Sequence, residues 1–109
     1  MPNHIDCLDP RGIRVVCTES TWHQKILATH ADLAGCEHLV RLTIERPRLN
    51  LVFQDAHNPS RNAYYGLFEG SPFYVKVVVE LGEDGRSARI VTAYRTSNRK
   101  STEVPIWPR

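Results

Sequence analysis

The residues of this 109-residue chain best suited to chemistry are histidines on one apolar helical stretch and a lysine set among valines. In the stretch from Thr21 to Leu33, Trp22, Ile26, Leu27 and Leu33 recur at helical spacing, and His30 falls on the side of Ile26 and Leu27. His23 lies two turns back along the same flank. An imidazole titrates near neutrality and can give or take a proton. Downstream, Phe73, Val75, Val77, Val79 and Leu81 alternate with Tyr74, Lys76, Val78 and Glu80, so one face of this strand is apolar and the other carries the lysine. Gly82-Glu83-Asp84-Gly85 is a hairpin signal, with Gly85 at the left-handed position of a three-residue loop. That loop pairs Gly82 with Arg86 and sets Lys76 opposite Thr92 and Tyr74 opposite Tyr94, with Thr96 continuing the face. Lysine supplies a point charge for phosphate, tyrosine rings stack on bases, and a hydroxyl can donate to a phosphoryl oxygen.

Other chemistries find less support. The five histidines form neither an i, i+4 pair nor an HExxH motif, so no metal site is expected, and no cofactor. There is no glycine-rich phosphate loop. Ser20, Ser60 and Ser71 lack the setting of a nucleophile elbow.

The elements that position these residues follow from a change of period. Pro2, Pro10 and Gly12 break residues 1 to 12, and Ile13 to Cys17 is a short strand. A first helix, capped by Thr18 or Ser20, is expected from about 19 to 33, and a second from about 37 to 46. After Pro47 the period drops to 2. Strands are expected from about Leu49 to Gln54, Asn62 to Phe68, Phe73 to Leu81 and Ser87 to Thr96. Residues 55 to 61 read as a polar loop, Gly70-Ser71-Pro72 as a turn, and Ser97 to Thr102 as a polar stretch. Beyond it, Pro105-Ile106-Trp107 tucks an aromatic onto the body. The pattern is α+β: a short N-terminal strand, then two helices packed on a four-stranded antiparallel sheet. The buried set is expected to be Trp22, Ile26, Leu27, Leu39, Leu42, Val75, Val77 and Val79.

Length and composition agree with one domain, its core spanning about 13 to 96 and its tail 97 to 109. No apolar run is long enough for a membrane span, and the N-terminus does not read as a secretory signal. Three cysteines, Cys7, Cys17 and Cys36, form no CxxC pair and point to free thiols in the cytoplasm. A net charge of +2 is compatible with a nucleic-acid partner.

Three stretches together carry a resemblance. Thr21-Trp22, Lys25-Ile26-Leu27 and His30 to Leu33 are similar to a TW-xx-KIL-xx-HPEL helix. Thr43-Ile44-Glu45-x-Pro47, Val52-Phe53-Gln54, His57, Arg61 and Tyr64-Tyr65 are similar to a TIENPDYIYQS…R-x-YY segment. Tyr74 to Val79 and Ile90 to Tyr94 are similar to a Y-x-KVVV…IVTAY pair. The combination resembles the phage-borne nuclease-like domains grouped with the barnase, EndoU, colicin and RelE-type ribonucleases, over residues 18 to 107. The resemblance implies a RelE- or barnase-like fold and metal-independent RNA cleavage between the first helix and the sheet. It implies His30, Lys76 and Thr92 as catalytic residues, with Arg61 and Tyr94 binding substrate; Tyr65 on the tyrosine strand and Tyr74 and Thr96 on the open sheet face join them as expected substrate-binding residues. Ala31-Asp32 stand where the pattern has Pro-Glu, so a different helix end is expected. The implied partners are RNA and, for a toxin-like or phage effector, an inhibitor or associated phage protein. The second proton-transfer group stays open among His23, His57 and a tyrosine. A non-catalytic module binding RNA or protein through the same face is the alternative.

Overall fold

In a computed structural model, which describes residues 3–68, 72–97 and 102–108, seven strands form one mixed sheet. They are β1 (Ile5–Leu8), β2 (Arg14–Cys17), β3 (Val52–Asp55), β4 (Asn58–Leu67), β5 (Tyr74–Leu81), β6 (Ser87–Thr96) and β7 (Glu103–Trp107), in the order β1-β2-β6-β5-β4-β3-β7. Among the described residues only the β2–β6 ladder is parallel. This corrects the expected four-stranded antiparallel sheet. The four expected strands form its middle, and three more extend it: the expected N-terminal strand β2, with β1 beyond it, and β7 at the far edge.

Both unexpected strands are short. In β1, Ile5 and Cys7 are buried while Asp6 and Leu8 are exposed, an alternation four residues long among breakers. Asp9 closes the β1–β2 turn. Its Oδ1 accepts the backbone N–H groups of Arg11 and Ile13, and Gly12 takes a φ of +84°. Strand β4 begins at Asn58, so most of the expected 55–61 loop is strand, with Ala56 and His57 as the turn.

The first helical run, α1, spans residues 19 to 29. Thr18 caps it, its Oγ1 accepting the Thr21 N–H at 3.1 Å. From Thr21 to Ile26 the run is a π-helix, and Leu27 N–H donates to Trp22 O. Trp22 and Ile26 are both fully buried, and Leu27 is only partly covered. The run stops at His30, whose backbone leaves the helical region (φ −129°, ψ 68°), and a single 3-10 turn, Ala31–Leu33, follows. The helix expected to continue to Leu33 therefore ends four residues early, at Thr29. The second helix, α2 (Glu37–Glu45), lies where expected. It buries Val40, Thr43 and Ile44 and leaves Leu42 46% exposed, against expectation; Leu39 is partly buried. Thr43 fits against Gly66 of β4, where an added Cβ would lie 2.3 Å from Thr43 Oγ1.

Helices cover one face of the sheet. Val75, Val77 and Val79 join Trp22, Ile26, Leu33, Val40 and Ile44 in one buried cluster with Tyr64, Ile90 and Ala93. Leu49 stands exposed in a turn before β3, in place of the expected strand start; Val52 and Phe53 are the buried residues there. The expected turn at Gly70-Ser71 and most of the expected polar stretch 97–102 lie outside the described residues.

The register of the central hairpin differs twice from expectation. The loop is one residue longer, with Gly82 N–H donating to Ser87 O at 2.8 Å, and a bulge between Val78 and Val79 adds a second shift. Lys76 therefore pairs with Tyr94, Val78 with Thr92 and Tyr74 with Thr96. Two shifts of one residue restore the parity, so Tyr74, Lys76, Thr92, Tyr94 and Thr96 share the open face although their partners change.

Candidate active site

The open face is concave. Lys76 on β5 and Glu103 on β7 are three ladders apart, yet Lys76 Nζ lies 2.7 Å from Glu103 Oε2. On a flat sheet three spacings would separate their backbones by roughly 14 Å, so curvature and two long side chains close the gap. Both side chains are 4% exposed. Tyr65, opposite Lys76 on β4, donates its hydroxyl to Glu103 Oε1. The ammonium also lies 5.5 Å from the Tyr65 ring centroid and 5.7 Å from that of Tyr94. Burial alone would lower the Lys76 pKa. The Glu103 carboxylate and Tyr65 outweigh it and hold Lys76 well above the ordinary lysine value.

Sequence reasoning placed Lys76 on the open face, within reach of water or an anion. The structure supplies the anion from within the chain. Glu103 went unnoticed because it sits in a segment read as tail; its only sequence signal is the alternation of Glu103, Pro105 and Trp107 with Val104 and Ile106.

A hollow of about 150 Å³ opens on this pair. Arg61, Lys76, Thr92, Tyr94, Glu103 and Asp55 contribute to its wall. Four expected site residues thus converge: Arg61, Lys76, Thr92 and Tyr94. Arg61 Nε lies 3.9 Å from Glu80 Oε1, on the partner strand. Tyr65 and Tyr74 line a second, larger hollow of about 530 Å³ on the same face with Arg48, Leu49, Leu51 and Phe53. There the Arg48 guanidinium sits 5.1 Å from the Tyr74 ring centroid, and Phe53 meets Tyr65 edge-on at 5.5 Å. Thr96 lies opposite Tyr74 at the ladder's end, outside both hollows.

His30 reaches the site from the helix layer. The β2–β6 ladder stops at Arg89, so from Ile90 onward β6 forms the margin of the sheet on that side among the described residues. The break at His30 turns its ring onto Tyr94, stacked at 5.5 Å with 29° between the planes. Asp32, in the following turn, pins this bend through Arg95 Nε at 3.4 Å. The contact of His30 is therefore Tyr94, and Tyr94 in turn faces the Lys76 ammonium. His57 lies in the β3–β4 turn, exposed, its backbone N–H held by Asp55. His23 packs edge-on against His4, away from this site.

The arrangement offers a carboxylate, a buried ammonium, a guanidinium and a hydroxyl around one small hollow, with an imidazole stacked on its Tyr94, beside a larger hollow with aromatic walls. No helix among the described residues is long and apolar enough to cross a membrane. No family model, characterised protein or solved structure matches this chain.

Proposed function

We propose that the concave face cleaves RNA without a metal ion, with the scissile phosphate in the smaller hollow and a base in the larger one. The observation that carries this reading is the convergence of Lys76, Glu103, Arg61 and Thr92 on one hollow, with His30 stacked on Tyr94 at its margin.

Cleavage by the neighbouring hydroxyl needs three groups. A base takes the 2′-hydroxyl proton as that oxygen attacks phosphorus. An acid protonates the 5′-oxygen as the P–O5′ bond breaks. Positive charge stabilises the five-coordinate phosphorane between the two steps. Glu103 suits the base: its carboxylate stands in the wall of the smaller hollow, held there by Lys76 and Tyr65. His30 suits the acid. Lys76 and Arg61 supply charge, and Thr92 orients a phosphoryl oxygen. Tyr65, Tyr74 and Phe53 give the second hollow faces on which a base stacks.

One observation favours a binding module of the same fold instead. His30 stacks on Tyr94 and does not itself line the smaller hollow. The two readings part on His30→Ala. In the nuclease, this variant loses cleavage of mixed RNA in EDTA by 10²-fold or more while RNA affinity changes little, since proton transfer acts in the transition state. In the binding module, wild type binds RNA and leaves it intact.

A further inference from the structure

A second cluster of chemistry-bearing side chains lies where the N-terminal segment crosses the starts of both helices, apart from the concave face. His4, Glu19 and His23 each place one possible ligand atom so that all three lie within 4.8 Å of one another. Glu19 and His23 are four residues apart on the first helical run, so they rise from one face of it. His4 comes from the segment entering β1, where its ring is fixed from three sides. It stacks on the buried Trp22 at 5.6 Å and meets His23 edge-on at 5.3 Å. Its Nε2 lies 3.0 Å from Glu37 Oε2, at the start of α2. Its other nitrogen, Nδ1, faces Glu19 Oε1 at 3.9 Å.

We infer that His4 Nδ1, His23 and Glu19 form a binding site for a divalent transition-metal ion, Zn²⁺ being the ion best suited to it. Two imidazoles and one carboxylate are a recurrent three-ligand set for zinc, with the fourth position left to water. Imidazole donors select such ions over Mg²⁺, which prefers oxygen ligands in octahedral geometry. Glu37 completes the pattern. A carboxylate that takes the far N–H of a ligating histidine fixes its tautomer and raises its basicity, and its loss typically weakens metal affinity 10- to 100-fold. The 3.9 Å between Nδ1 and Oε1 is wider than the edge of a zinc tetrahedron, and Glu19, 68% exposed, is free to close it. Sequence inspection passed over the site by seeking histidine pairs only, whereas the helical pair is Glu19 with His23. A bound ion would tie the N-terminal segment to the helix that carries His30.

The test titrates the full chain, free of any histidine tag, with Zn²⁺ by calorimetry and with Co²⁺ by visible absorption. One ion should bind per chain, and Mg²⁺ in excess should not displace it. His23→Ala and Glu19→Gln, both at exposed positions where folding is not at risk, should each weaken Zn²⁺ binding tenfold or more. Glu37→Gln should weaken it within the 10- to 100-fold range. His57→Ala, in the β3–β4 turn, should leave it unchanged. Zinc affinity indifferent to His23→Ala and Glu19→Gln, displacement by Mg²⁺, or no Co²⁺ band from tetrahedral coordination would overturn the site.

Discussion

Lys76 is the residue at which stability and proposed activity meet. A lysine in a strand of valines leaves its ammonium buried unless the fold delivers an anion, and Glu103 is that anion. Removing one partner of a buried pair strands the other charge. Lys76→Met should therefore cost about 3–5 kcal/mol in urea denaturation. Lys76→Met combined with Glu103→Leu should recover most of that loss, because no charge then stays buried unpaired. Equal destabilisation in the single and double variants would mean that the pair is not coupled. At this scale the sequence was informative where the chemistry is local. The face shared by Lys76, Thr92 and Tyr94 followed from the alternation together with the expected hairpin register, and it held because two shifts of one residue cancel. The partner of Lys76 did not, since it arrives from another strand three ladders away.

Length alone did not make an element legible: the ten-residue β4 begins four residues before its expected start, while the four-residue β2 was expected. Strand β6 was read with its observed ends, and α2 to within a residue, because both are long and strongly periodic. The β1 and β7 strands, four and five residues long, carry too few alternations to rise above their prolines and glycines. The π-helical turn was not legible. Its apolar residues fit an α-helix equally well, and hydrogen bonds such as Leu27 N–H to Trp22 O are what distinguish the two. That turn matters to the site, because it sets the phase at which the helix ends and His30 meets Tyr94. The seat of α2 on the sheet makes a sharper test. Thr43 is buried and its hydroxyl donates to Leu39 O at 2.7 Å, so it has little room to yield to a Cβ on Gly66. Gly66→Ala should destabilise by about 1–3 kcal/mol. Adding Thr43→Ala should make the double variant more stable than the sum of the two single effects. Strict additivity in thermal unfolding would place α2 elsewhere.

For the molecule as a whole, the buried groups predict a pH dependence on the alkaline side. Burial pushes the thiols of Cys7 and Cys17 from 9.0 up to about 11. Between those values the unfolded chain releases protons that the native chain retains. The stability these thiols contribute is thus complete below pH 9 and lost as pH rises toward 11. Tyr64, buried and beside Asp9, is raised above the ordinary phenol value and acts in the same direction above pH 10. The urea midpoint should fall steadily from pH 9 to pH 11, and Cys17→Ala should flatten that fall. A midpoint constant over the range would contradict the burial of both thiols. On the scale of the whole fold, the concave face joins β5, β6 and the segment read as tail into one surface, with the first helix delivering a histidine to its margin.

Incubation of the purified protein with mixed RNA in EDTA, wild type beside His30→Ala, tests the proposed activity most directly. Wild type should cleave and leave 2′,3′-cyclic phosphate ends, while His30→Ala should bind RNA comparably and cleave at least 10²-fold more slowly. Undiminished cleavage by His30→Ala, or cleavage only when a divalent metal is restored, would contradict it.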